Sequence, residues 1–249
     1  MTGSRLGRVW GLVAGQAAQR GGHVSAGDAC TAAVAAVEVS GAWLIAGHGT
    51  GTGHLIQATD EVSELLAELE LTLGEGPGRD AAAVSGPVLT SDLGDADAVR
   101  RWPVFAAAAC EAGAAAIFAF PLQVGAIRAG VMGFYRERPG PLSAFQLGDA
   151  LVFADTATLL LLESGRQAAD GAGSGPDGQP PDLAGYRAEI DQATGMLTEQ
   201  LGVGIATAFI RLRAHAYVNG LRLTDVARDI VARRLRLQPD LDPAEEGDG

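Results

Sequence analysis

The chain reads as an α+β protein: an N-terminal antiparallel sheet flanked by helices, then a C-terminal all-α three-helix bundle. Three observations carry this. Between residues 5 and 165, short apolar runs of strand length alternate with stretches that have helical periodicity. Residues 166–182 (RQAADGAGSGPDGQPPD) have almost nothing to bury and read as a flexible linker with a stiffer Pro-Pro end. Residues 183–238 carry three short amphipathic stripes separated by turn residues. A length of 249 residues suits two modest domains, and 47% apolar content is ample for their cores.

In the first segment, residues 5–20 place Leu6, Val9, Trp10 and Val13 on one helical stripe, which Gly21-Gly22 ends. Ala26–Val39 reads as an alanine-rich, mostly buried helix. Ala42–Ala46 and His54–Ala58 read as strands joined through the glycine-rich run His48–Gly53. A phosphate-binding loop is the rival for those glycines, but the Gly-Lys-Ser/Thr and the strand-to-helix setting are missing. Val62–Leu71 reads as a helix, Gly74–Gly78 as a loop, residues 80–84 as a helical turn and Pro87–Leu89 as a short strand. A helix opens at Trp102-Pro103 and runs to about Glu111. Ala114–Leu122 and Ile127–Tyr135 flank Gln123–Ala126 as a hairpin of buried strands. The last helix, Leu142–Glu163, has a very wide apolar face: Phe145, Leu151, Val152, Leu159 and Leu162.

In the second segment, Ile190, Ala193, Met196, Leu197 and Leu201 line one face of the first helix. Gly202 and Gly204 close it and open the next, whose stripe is Ile205, Ala208, Phe209, Leu212 and Ala216. Asn219-Gly220 is the following turn. Thr224 is the expected N-cap of the third helix, with Asp225 favourably placed against its dipole. Ala227, Ile230, Val231 and Leu235 form the expected inner face. None of these helices can hide its stripe alone, so they are expected to pack together.

The net charge of −12 divides unevenly. Residues 183–237 hold 8 arginines against 5 carboxylates, a balance of +3, while the remainder sums to −15. Attraction for phosphate is local, screened beyond roughly 10 Å, so the distribution matters more than the total. Every basic residue is arginine, which with abundant Ala and Gly points to a GC-rich genome. Residues 239–249 carry 5 acids and no base and are expected to be a solvated, disordered tail.

Little in the chain speaks for chemistry. His23, His48, His54 and His215 fall in separate segments without metal-ligand spacing. Cys30 and Cys110 have no motif spacing and read as buried apolar fillers in a reducing cytosol. No nucleophile elbow, acidic pair or nucleotide motif is present. The expectation is therefore not an enzyme, with no cofactor and no metal. The N-terminus lacks a basic region followed by an apolar stretch, and no apolar run approaches a bilayer-spanning length. A cytoplasmic protein without a membrane partner is expected.

The runs IDQATGMLTEQLGV, RLRAHAYVNG and LTDVARDIVARRLRL resemble the ANTAR domain, an RNA-binding antitermination module of bacterial regulators. The resemblance covers about fifty residues with the helix spacing kept. It implies binding to hairpin leader RNA, which prevents a terminator from forming. Stacking, base-edge hydrogen bonds and phosphate contacts read RNA loops. Arg211, Arg213, Arg222, Arg228, Arg233, His215 and Tyr217 are the candidate groups, with Gln192 and Thr194 as polar readers on the first helix. Ala193 and Gly195 match the family's small-residue motif, through helix packing or close RNA approach.

The stretches LGEGPGRDA, SGPVLTSDL, RWPVFAAAACEAG and PLQVGAIRAGVMGFYRERPG resemble a GAF domain of the type joined to ANTAR domains in actinobacteria. Relatives often carry a cysteine after Gly-Pro, where this chain has Gly78. The resemblance implies a sensor, here with a non-covalent small molecule as the expected ligand. A homodimer through the wide face of Leu142–Glu163 and the Trp10-bearing helix is also expected. Two rival readings of the bundle stand beside this one: a DNA-binding regulator with a recognition helix in the major groove, and a protein-interaction module.

Overall fold

A computed structural model describes residues 4–47, 53–169 and 181–238. The turn residues 48–52, the middle of the expected linker (170–180) and the acidic stretch 239–249 lie outside the described residues. The chain divides into two compact units, Met1–Arg187 and Ala188–Gly249.

In the first unit, helices α1 (Arg5–Arg20) and α2 (Ala26–Val37) lead into strands β1 (Gly41–Ala46) and β2 (His54–Ala58). Helices α3 (Glu61–Leu73) and α4 (Pro77–Val84), strand β3 (Val88–Thr90), and helices α5 (Ala96–Arg101) and α6 (Pro103–Glu111) follow. Strands β4 (Ala116–Val124) and β5 (Ile127–Arg136) and helix α7 (Ala144–Ala169) complete it. The five strands form one antiparallel sheet in the order β2-β1-β5-β4-β3. Both local hairpins of the sequence reading are present, but the β1–β5 pairing that joins them is long-range.

Each face of the sheet carries its own apolar layer. On one side Ala42, Leu44, Phe118, Phe120 and Phe134 meet Val9 and Val13 of α1, Ala29 and Ala33 of α2, and Phe153 and Ala157 of α7. On the other, Trp43, Ile45, Ile117 and Val131 meet Leu66 of α3, Ala81 of α4, and Trp102 and Phe105 around α6. Alternate residues of β1 and β4 thus go to opposite layers. That is why these strands read as continuous apolar runs and not as half-polar ones. Trp43 lies opposite Gly133 on β5, where a Cβ would come within 2.2 Å of the indole. The missing side chain makes room for the ring.

Several helix ends are capped by neighbours in sequence: Ser4 on α1, Ser25 with Asp28 on α2, Asp60 on α3 and Asp95 on α5. Helices α4 and α6 have Pro at their first turn and no such cap. Acids from outside supply the need. Glu70 of α3 accepts the Gly78 N–H at 2.5 Å, and Glu75 accepts from Val104 N at 2.9 Å and Phe105 N at 2.8 Å. Glu70 is fully buried, its Oε2 is unpartnered, and Trp43 Nε1 lies beside it without meeting hydrogen-bond geometry. Burial pushes this carboxyl up to about 7, against opposing pulls from Gly78 N–H, Trp43 and Arg79. A Cβ at Gly78 would lie 2.3 Å from Glu70 Oε2, so the position after Gly-Pro is closed to a cysteine while Glu70 stays in place.

The structure departs from the sequence reading at several points. α4 starts at Pro77 and not at residue 80, and α5 was not foreseen, being too short to show a period. The β4–β5 turn is reduced to Gly125-Ala126. α7 continues to Ala169 and the next helix starts at Pro181, so the described ends of the expected linker are helical. Phe145, Leu151 and Leu159 of the expected apolar face are exposed at 58%, 41% and 54%, respectively. Asp149, buried beside Phe145, is held by Arg5 Nε at 3.0 Å and by Arg8, and both guanidiniums lie over the Phe145 ring. Ala144–Arg166 is also long and apolar enough to cross a membrane by length and composition, contrary to expectation. In this fold its inner face packs on α2 and β4.

The second unit holds most of α8 (Pro181–Leu201), with α9 (Ile205–Val218) and α10 (Leu223–Val231). Gly202, at φ 66, ends α8 in the left-handed conformation expected of a C-terminal glycine. The buried side chains are Ile190, Ala193 and Leu197 of α8, Ala208, Phe209, Leu212 and Ala216 of α9, and Leu223, Val226, Ala227 and Ile230 of α10. Three expectations fail. Ile205 is 62% exposed, because it stands at the first turn of α9. Arg222 is the N-cap of α10, and Thr224 sits buried in its first turn. Leu235 lies beyond the helix altogether, because α10 ends at Val231.

Candidate nucleic-acid interface

The candidate residues come from all three helices and their ends. Arg211 and His215 stand one helical turn apart on α9 and line one groove of about 300 Å³. Its apolar wall is Leu201, Ala214, Val218 and Leu237; Asn219 and Gln238 add amides. Leu237 and Gln238 belong to the segment after α10. That segment is tied back to α8 by Gln200 Nε2, which donates to the Leu237 carbonyl at 2.6 Å. Asn219 Nδ2 likewise donates to the His215 carbonyl at 2.8 Å, holding the end of α9.

The other candidates are placed less uniformly. Arg213 is half-buried with its guanidinium 5.8 Å from the centre of the Phe209 ring, so its stem and charge cover part of the core. Arg222 is exposed at the α9–α10 junction. Arg228 is exposed but engaged by Asp225 at 3.0 Å and Glu189 at 3.5 Å. Arg233 is exposed just past α10, with φ 60. Gln192 is exposed on α8.

Thr194 is a correction. It is 1% exposed and donates its hydroxyl to the Ile190 carbonyl at 2.7 Å, so it offers nothing to an RNA edge in this structure. Its neighbours separate the two roles left open for the small residues. Ala193 is fully buried and serves packing. Gly195 is exposed, and a Cβ built on it meets nothing within 4 Å. Helix packing does not require that glycine.

Apart from Tyr217, sequence reasoning missed the exposed apolar face of α9. Ile210, Tyr217 and Val218 are exposed at 58%, 52% and 80%, and Leu221 follows at 47%. The signal was present, because Ile210, Ala214, Tyr217 and Leu221 recur at helical spacing opposite the expected stripe. The Leu237–Gln238 wall left no such signal, since coil has no period.

The arrangement defines a class first: a sheet-and-helix unit followed by a small helical unit with an arginine-bearing, partly apolar outer surface. Residues 185–231 match the ANTAR domain family and are an ANTAR domain. ANTAR domains are RNA-binding antitermination modules. The first unit has the GAF fold. It is similar to the GAF domain of a phosphoenolpyruvate-protein phosphotransferase from Coxiella burnetii, at 13% identity and TM-score 0.50, covering 68% of this chain and 99% of that one. Also similar are a domain of a putative two-component sensor histidine kinase from Sinorhizobium meliloti 1021 (19% identity, TM-score 0.46, 57% and 92% covered) and GAF-B of DevS from Mycobacterium smegmatis (17%, 0.42, 57% and 93%). No curated protein matches the chain. ANTAR is a regulatory domain type, and no catalytic family model matches the chain.

Proposed function

We propose that this protein is a signal-responsive cytoplasmic regulator whose C-terminal unit binds hairpin leader RNA and thereby controls transcription termination. The ANTAR match on a unit of balance +3, in a chain of net charge −12, carries the reading. Arg211, Arg213, Arg222 and Arg233 supply positive charge around α9 and the ends of α10, with His215 in the groove. The outer face of α9, with Ile210, Tyr217 and Val218, suits the splayed bases of an RNA loop better than the polar edges of a DNA major groove.

Binding of a two-hairpin leader RNA and of duplex DNA, titrated at several salt concentrations, tests it. The hairpin RNA is expected to bind more tightly. Replacing Arg211, Arg213 and Arg222 with alanine is expected to flatten the slope of log affinity against log salt by about 0.7 to 0.9 for each phosphate no longer neutralised. Preference for the duplex supports the DNA reading, and no salt-dependent binding to either supports a protein-interaction module.

On the sensor side, the GAF unit is the entry for a signal as a non-covalent small molecule. Cys30 is buried and its thiol is pushed far up by burial; Cys110 is exposed, contrary to its reading as a buried filler, but its thiol is raised in the same direction, so neither is poised as a covalent anchor. The unit also carries the dimer contact. Leu6 and Leu12 of α1 are exposed at 53% and 41%, and with Leu151 and Leu159 of α7 they leave apolar surface that a second copy would cover. Light scattering is expected to give a dimer, and Leu12→Glu with Leu159→Glu a monomer; a monomeric wild type at micromolar concentration refutes it.

A further inference from the structure

We propose that the groove beside α9 is a pocket for one unpaired base of the bound RNA, with Arg211 at its edge and Arg213, Arg222 and Arg233 outside it for phosphates. This rests on the RNA reading above and specifies where a base is held. The groove joins an apolar wall, Ala214, Val218 and Leu237, to two planar nitrogen-bearing groups, Arg211 and His215. A phosphate would meet the Arg211 cation here, but Ala214, Val218 and Leu237 would strip its remaining water and return no hydrogen bonds. A paired helix cannot enter about 300 Å³. An extruded base matches both halves: its faces are apolar and stack on guanidinium or imidazole planes, and its edge takes hydrogen bonds.

The groove is also built and not incidental. Gln200 fastens the Leu237 carbonyl and so holds the far wall, while Asn219 fastens the end of α9 that carries Val218. Both tethers are side chain to backbone: the first joins α8 to the segment after α10, and the second closes the C-terminal end of α9. A preformed slot avoids ordering the wall when the base arrives.

The test separates the slot from the charge. Ala214 is exposed on α9, and leucine is a good helix former there, so Ala214→Leu fills the groove without touching charge or fold. A two-hairpin leader RNA carrying 2-aminopurine at each loop position in turn is titrated into the full chain. One loop position is expected to change fluorescence with the wild type and to fall silent with Ala214→Leu. The variant is expected to bind about tenfold more weakly with an unchanged salt slope. An abasic nucleotide at that position is expected to weaken wild type by a similar factor and to leave the variant unaffected. Equal affinity and fluorescence for wild type and Ala214→Leu overturns the pocket while leaving RNA binding intact. A flattened slope in the variant overturns it too, because phosphate binding is then what has weakened. Absence of any hairpin binding by the wild type overturns the RNA reading itself.

Discussion

The two units spend their side chains differently. In the GAF unit seven large aromatic groups, Trp43, Trp102, Phe105, Phe118, Phe120, Phe134 and Phe153, are fully buried, while Trp10 is half-buried and Phe145 exposed. Several acids are folded inward beside them, where they serve as structural partners. Glu70 holds the start of α4, Asp149 gathers Arg5 and Arg8, and Asp28 binds Arg20 at 2.8 Å. In the ANTAR unit Phe209 is the only buried aromatic among the described residues, while Ile205, Ile210, Tyr217 and Val218 face outward with most of the arginines. A side chain that stabilises its own fold is hidden and its polar atoms are matched internally. One that faces outward and apolar is left for a partner. By that measure, the first unit hides most of its aromatic bulk and keeps exposed apolar groups such as Leu12 and Leu159 for a contact of its own, while the second presents its apolar surface beside arginines.

The largest effect that tests this contrast is in the first core. Trp43→Ala is expected to destabilise the GAF unit by about 3–5 kcal/mol, because the indole fills the layer between the sheet and α3, α4 and α6. All three tryptophans lie in that unit, so the fluorescence of Trp10 and Trp102 follows its denaturation in the variant. A shift below about 1 kcal/mol would mean the layer is not the tight filling described.

Next comes the buried acid. The Glu70 carboxyl is raised from 4.5 in its ordinary state to about 7 in the fold, so between these values the folded unit holds a proton the unfolded chain has released. The contribution of Glu70 to stability is then greatest below pH 4.5 and falls as pH rises to about 7, by an amount on the order of 3 kcal/mol, with no further loss from this group above. Glu70→Gln is expected to remove that slope. Denaturant midpoints of wild type and variant from pH 4.5 to 8 check it, and parallel curves would show that Glu70 does not titrate in this range.

The smallest effect is on the presenting side. Gly195 sits within α8 with open space where a Cβ would go. Gly195→Ala is expected to stabilise the helix by about 0.5–1 kcal/mol, read as a higher melting temperature by circular dichroism. If the glycine is there for close RNA approach, the same variant binds the hairpin RNA more weakly despite its greater stability. Stabilisation with binding unchanged would remove Gly195 from the interface.

How far the sequence could be read followed the range of the interactions involved. The helix stripes of Ile190–Leu201 and Ile205–Ala216, the hairpins β1–β2 and β4–β5, and the charge split between the two segments were legible, because periodicity, turn chemistry and composition act over a few residues. The sheet order was not, since β1–β5 pairing depends on residues some ninety positions apart. The same holds for the caps that Glu70 and Glu75 supply to α4 and α6, which a search for Ser, Thr or Asp beside each helix cannot see. At the interface, residue types pointed to Arg211 and His215, but only the fold set them in one groove, turned Thr194 inward, tied Arg228 to Asp225 and Glu189, and brought Leu237 across from beyond α10. Local sequence thus determined which elements form and roughly which unit carries positive charge. Which side chains share a surface was decided by packing between elements, where a residue's neighbours are set by three-dimensional closure and not by spacing along the chain.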